Sequence, residues 1–154
     1  MSWGLVDFLV AGGLITAFGG VFVMGLRASN SWSYRAGFAL ALLTGLAVIW
    51  SALAVGIVGD EGDPADLMYA AILFGGFVAA CAVRFSPGGM RRSLYALSTA
   101  TGAASLAAIS VAGNAQAPVM LMFHTVIAGG FAISGYLCGR AAVTPGLAAP
   151  PGPR

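Results

Sequence analysis

The sequence predicts an all-α integral membrane protein: a bundle of five transmembrane helices, N-terminus outside and C-terminus in the cytoplasm. Three observations carry this: a composition unsuited to water, five apolar stretches of spanning length, and complete separation of basic from acidic residues. Of 154 residues, 59% are apolar and 8% charged, with 23 glycines and a mean hydropathy of +0.92. A soluble domain carries about 25% charged residues, so seven basic and five acidic side chains cannot cover a water-facing surface of this size. The composition excludes a water-soluble enzyme, a nucleic-acid binder and a disordered chain.

A hydrocarbon core of ~30 Å needs about 20 mostly apolar residues per helix. Residues 8–26, 36–58, 67–83, 94–113 and 118–139 meet that requirement. None alternates polar with apolar as a barrel strand does. The link at 114–117 has only Asn114, Gln116 and Pro118 as turn signals, yet 94–139 is too long for one span. No basic segment precedes the first apolar run, and Asp7 stands there instead, so that run is expected to be a retained span. Residues 1–140 form the transmembrane domain. The proline-rich residues 141–154 read as a disordered cytoplasmic tail.

Every basic residue is an arginine. Arg27 and Arg35 flank the first link, Arg84, Arg91 and Arg92 the third, and Arg140 and Arg154 follow the fifth span. The acids are Asp7 before the first span and Asp60, Glu61, Asp63 and Asp66 in the second link. Five spans put these two sets on opposite sides without exception, and positive residues mark the cytoplasmic side.

Helices in lipid associate through close backbone approach and hydrogen bonds. Small residues recur four apart in each span: Gly12/Thr16/Gly20, Gly37/Ala41/Gly45, Ala71/Gly75/Ala79, Ala100/Ala104/Ala108/Ala112 and Gly135/Gly139. Intrachain packing explains these stripes, with self-association through one of them as the alternative. Ser98, Thr101 and Ser105 at helical spacing are expected to bond carbonyls one turn back or across a helix pair.

The second link reads Gly56-Ile-Val-Gly59-Asp-Glu-Gly-Asp-Pro64-Ala-Asp-Leu-Met-Tyr69, and the third Ala82-Val-Arg84-Phe-Ser-Pro87-Gly-Gly-Met90-Arg. From about 34 to 107 the chain resembles a family of uncharacterised small bacterial inner-membrane proteins. These carry a G-x-x-G and an N/D-P-A-N/D-L-M-Y segment, then an A-R-F-x-P-x-G-M hairpin. The resemblance implies a multi-pass protein of the bacterial inner membrane and supplies no catalytic residue. Family members often have Asn where this chain has Asp63 and Asp66, so it implies that carboxylates there are dispensable.

Several constellations are candidates for chemistry. The four carboxylates of 60–66 could attract a hard cation, but Asp63 as N-cap, Pro64 at the first helical position and Asp66 closing the box explain them more simply. Cys81 and Cys138, at similar depth, lack the spacing of a metal site and read as packing residues. Arg84, Arg91 and Arg92 form a basic cluster that fixes orientation and could hold lipid headgroups. His124 is the only histidine and the only ionisable group well inside a span, which makes it the leading binding candidate. Trp50 and Ser51 sit at comparable depth. Asp7 joins them through a weak internal echo, since Asp7 precedes Val-Ala-Gly-Gly as His124 precedes Ile-Ala-Gly-Gly.

No nucleophile–base pair, metal spacing or phosphate loop is present in the sequence, and no cofactor is expected. The favoured expectation is a non-catalytic accessory or structural membrane protein acting through helix packing, its partners being the bilayer, other membrane subunits or a second copy. The alternative is a small-ligand or ion binder or transporter using an outer-leaflet site around His124. A membrane enzyme is the third class, and it would need more intramembrane acids or histidines than this chain has.

Overall fold

The computed structural model describes residues 4–54, 67–112 and 117–143. These are all-helical: α1 (Leu5–Ala28), α2 (Trp32–Ala54), α3 (Leu67–Ala82), α4 (Pro87–Ala112) and α5 (Ala117–Val143), with no strand among the described residues. Two helices contain stretches long and apolar enough to cross a membrane, Trp32–Ala52 with mean hydropathy 1.6 and Pro118–Val143 with 1.5.

Helix ends follow caps more closely than hydropathy. The carbonyl of Ser31 accepts the Arg35 amide at 3.0 Å, so α2 starts four residues before the expected stretch, with serine as its N-cap. Arg35 then folds back, donating to the Ser29 carbonyl and to Asn30 Oδ1. Helix α4 starts seven residues earlier than expected, because Ser86 accepts the Met90 amide at 2.8 Å and Pro87 takes the first helical position. Gly88 and Gly89, in the third link by hydropathy, are therefore in the first turn of α4. Ala141, Ala142 and Val143 belong to α5, so the helix takes three residues assigned to the tail. The acidic link at 60–66, residues 114–116 and the remainder of the tail lie outside the described residues.

The α3–α4 corner is a Schellman turn. The Phe85 amide bonds the Ala80 carbonyl at 3.0 Å and the Arg84 amide bonds Cys81 at 2.9 Å. Arg84 and Phe85 both have positive φ, 51° and 54°, where a non-glycine residue costs ~1–2 kcal/mol. Burial offsets that cost. Phe85 packs edge-on against Phe38, and the buried Tyr34 hydroxyl donates to the Phe85 carbonyl at 2.5 Å.

Helix α5 is the axis of the bundle, lying against α4 on one side and α2 on the other; α3 packs on α4 and α1 on α2. Buried positions along α5 are Met120, His124, Ile127, Phe131, Ser134 and Cys138. Along α4 the buried positions include Met90, Leu94, Thr101, Ala104 and Ala108, with the half-buried Leu97 completing the series and Ser93 and Ser105 buried beside it. Both sets step by four and three, the repeat that packs helices at roughly 20°. Glycines set the approach. A Cβ on Gly37 would sit 2.8 Å from the Ser134 carbonyl oxygen, one on Gly130 2.6 Å from Thr44 Oγ1, and one on Gly139 2.7 Å from the Arg91 stem.

The expected stripes are used unevenly. Gly37, Gly135 and Gly139 make close approaches, whereas Gly12, Gly20 and Gly75 have nothing within 4 Å of an added Cβ. Gly76, the neighbour of Gly75, is the one closed by Leu97, and α1 meets α2 where Gly25 admits the Phe38 ring. These meetings bring Arg27, Arg35, Arg84, Arg91, Arg92 and Arg140 to one end of the bundle, while Asp7 lies in the first turn of α1 at the other.

Gly37→Ala should destabilise the fold by about 1–3 kcal/mol, because the obstructing atom is backbone and the helices must separate. Gly12→Ala and Gly20→Ala should be neutral or stabilising by up to ~1 kcal/mol through helix propensity. Unfolding of the purified variants in detergent micelles measures both.

Candidate binding site around His124

His124 lies in the second turn of α5 and is 2% exposed. Its Nδ1 is 2.6 Å from the Met120 carbonyl oxygen, one turn back. A carbonyl only accepts, so Nδ1 carries the proton and donates. In the neutral ring this leaves Nε2 as an acceptor, and the Tyr69 hydroxyl donates to it. Tyr69, on the first turn of α3, is 3% exposed, and its ring lies tilted against the imidazole with centroids 5.4 Å apart. Phe123 meets the same imidazole edge-on at 5.7 Å. Both ring nitrogens are engaged within the fold, and two elements far apart in sequence are tied through one imidazole.

Beside His124, between α4 and α5, runs an open cleft of about 360 Å³ lined by Ser98, Gly102, Ser105, Thr125, Ala128 and Gly129 among others. Its hydroxyls are also committed. Ser98 donates across the helix pair to the Ala128 carbonyl at 2.9 Å, Ser105 to Gly102 at 2.7 Å and Thr125 to Leu121 at 2.7 Å. Among the described residues no buried side-chain nitrogen or oxygen lacks a partner. The arrangement orients an imidazole and closes a helix interface.

Trp50 and Ser51, expected beside His124, are not among the residues lining this cleft. Trp50 is 63% exposed near the end of α2, and Ser51 beside it is half-buried. Asp7 is helical, and its side chain lies outside the described residues. Tyr69 is the site residue that sequence reasoning missed. It reads as an interfacial aromatic anchor, although it closes the Asp-Leu-Met-Tyr segment on which the family resemblance rests. Nothing in hydropathy separates an anchoring tyrosine from one turned inward to a histidine.

The basic cluster is also rearranged. Arg84 is the first of the two left-handed residues of the α3–α4 corner, and it, Arg91 and Arg92 are all exposed. Arg91 lays its stem across Gly139, holds its guanidinium 5.9 Å from the Tyr95 ring centroid, and shares a cleft of about 310 Å³ with Tyr136 and Arg140. The helices thus bring Arg91 to Arg140. Cys138 is fully buried against Gly37 and Cys81 is exposed, with no metal-binding group of three or more ligands among the described residues. The chain matches no protein-family model, no curated protein and no solved structure.

Tyr69→Phe should cost about 1–3 kcal/mol, since it leaves Nε2 without a donor in a buried setting. His124→Phe should cost as much. The double variant should cost less than the sum, with a coupling of ~0.5–3 kcal/mol in a double-mutant cycle read by unfolding in detergent.

Proposed function

We propose that this chain is a five-span integral protein of the bacterial inner membrane, N-terminus outside, serving as a non-catalytic accessory or structural subunit through helix packing. The observation that carries this reading is the inverted distribution of side chains. Large apolar residues point outward on all five helices, among them Ile15 at 74% exposure, Leu43 at 64%, Phe74 at 69%, Leu106 at 71% and Val126 at 67%. The buried set includes Thr44, Ser93, Thr101, Ser105, His124 and Ser134. Water penalises so much exposed apolar surface. A bilayer accepts it, and demands that polar groups be satisfied within the protein.

The gathering of arginines at one end supports the orientation, and the link motifs, in their resemblance to small bacterial inner-membrane proteins, support the location. The competing reading, ligand or ion binding at His124, has the adjacent cleft in its favour. It requires the imidazole to give up Tyr69 or Met120, and the packing role needs no such step. Partners are other membrane subunits or a second copy, meeting the exposed apolar faces.

Single cysteines at Ser2, Gly62 and Gln116 in a Cys-free background should react with an impermeant reagent in intact cells, and those at Ser29, Gly88 and Ala149 should not. Labelling at Ala149 would contradict the five-span arrangement. A pH-dependent flux in proteoliposomes, abolished by His124→Gln with the fold retained, would contradict the non-catalytic packing role.

A further inference from the structure

We propose that the seam between α2 and α3, walled on one side by α1, binds one acyl chain of an anionic phospholipid whose phosphate is held by Arg27 and Arg84; this rests on the membrane reading. Helix α3 leans on α4 through Gly76 and Leu97, and α2 leans on α5 through Gly37, so α2 and α3 diverge from each other. The space left between them is a partly open groove of about 430 Å³. Val21, Leu42, Gly45, Leu73, Phe77 and Phe131 are among its lining residues, and none of the lining side chains is a hydroxyl, an amide or a charge.

Water needs two to four polar partners, which these walls do not offer. The groove is also partly open to its surroundings, so a guest can enter from the side. An apolar guest fits both conditions, and the volume falls within the range of ~300–1,000 Å³ usual for small-molecule sites. The shape narrows the class further. Along α3 the lining runs from Ala70 to Ala80, about 15 Å at 1.5 Å per residue, so the slot follows the helix axes as a hydrocarbon chain does.

Charge identifies the end that takes the headgroup. The slot reaches Phe38 and Phe85 at the arginine-rich end of the bundle. Arg84 directly precedes Phe85, and Arg27 follows by two residues the Gly25 that seats Phe38. Both arginines are exposed at that end of the bundle. A phosphate at this level, attached to a chain in the slot, meets two guanidinium groups suited to it. Gly45 leaves the slot open, since a Cβ there would come no closer than 3.8 Å to Leu73.

The test reconstitutes the full chain into vesicles of equal phosphatidylcholine and phosphatidylglycerol, extracts it in mild detergent and weighs it by native mass spectrometry. One phospholipid per chain should remain, with phosphatidylglycerol enriched several-fold. Gly45→Phe, which fills the slot, should lose it, and Gly45→Ala should keep it. Arg27→Gln with Arg84→Gln should retain a lipid and lose the preference. A second measurement in the unmodified chain covers a Gly45→Phe variant that fails to fold: phosphatidylglycerol with a photoreactive group midway along one chain should form adducts at Val21, Leu42 and Leu73. No retained lipid, unchanged retention in folded Gly45→Phe, or adducts confined to outward residues such as Leu106 and Val126 would overturn the proposal. Equal retention of both lipids by the unmodified chain would overturn the arginine assignment. Release of the chain from membranes by alkaline extraction would sink the membrane reading itself; a chain that stays in the membrane yet retains no lipid sinks this proposal alone.

Discussion

A hydroxyl or imidazole packed between helices has no solvent to turn to, and leaving it unpaired costs about 1–3 kcal/mol. That constraint shapes the interior of this bundle. Thr44 and Ser134 return their protons to carbonyls one turn back, on Leu40 and Gly130. Ser98 reaches across to Ala128, binding α4 to α5. His124 closes the set by donating to its own helix and accepting from Tyr69 on α3. Each bond removes a penalty, and those that cross between helices also fix which pairs are neighbours.

Close approach does the remaining work, and it is concentrated on α5. Gly130 and Gly139 let Thr44 and Arg91 come within distances that a methyl group would forbid, and Gly37 does the same from α2. The arginine-rich end is held separately. The Tyr34 hydroxyl on the Phe85 carbonyl and the Phe38 ring between Gly25 and Phe85 tie α1, α2 and the α3–α4 corner together. The left-handed Arg-Phe pair at that corner is held by two of these groups, the Tyr34 hydroxyl and the Phe38 ring, both on Phe85. One end of the molecule is thus closed by aromatics and the interior by hydroxyls and an imidazole, while α2 and α3 are left apart along their length.

The sequence carries the helices clearly because each requires a long apolar run, and runs are easy to read. It carries their ends less well. Hydropathy marks 94 as the start of the fourth helix, but Ser86-Pro87 caps it a full two turns earlier, with Arg91 and Arg92 inside the helix. Faces were harder still. In a water-soluble helix the apolar stripe points inward and its period reveals the packed side. Here outward and inward faces are both apolar, so the alternation of four and three along Met120, His124, Ile127, Phe131, Ser134 and Cys138 is hidden among equally hydrophobic neighbours. Small-residue spacing was an imperfect substitute: it found Gly37, Gly135 and Gly139, yet selected Gly75 where Gly76 is the packed one. His124 stood out as a lone ionisable group, whereas its partner Tyr69 could not, because the pairing joins positions 55 residues apart.

The chain has one histidine, so ring ¹⁵N labelling reports on His124 without assignment. Solid-state NMR of the protein in lipid bilayers reads the protonation of each ring nitrogen directly. A neutral ring with a protonated Nδ1 and a bare, hydrogen-bonded Nε2 is the predicted result, and the Nε2 signal should move when Tyr69 is replaced by Phe. A protonated Nε2, or a ring signal indifferent to Tyr69→Phe, would contradict the claim that this imidazole joins α5 to α3.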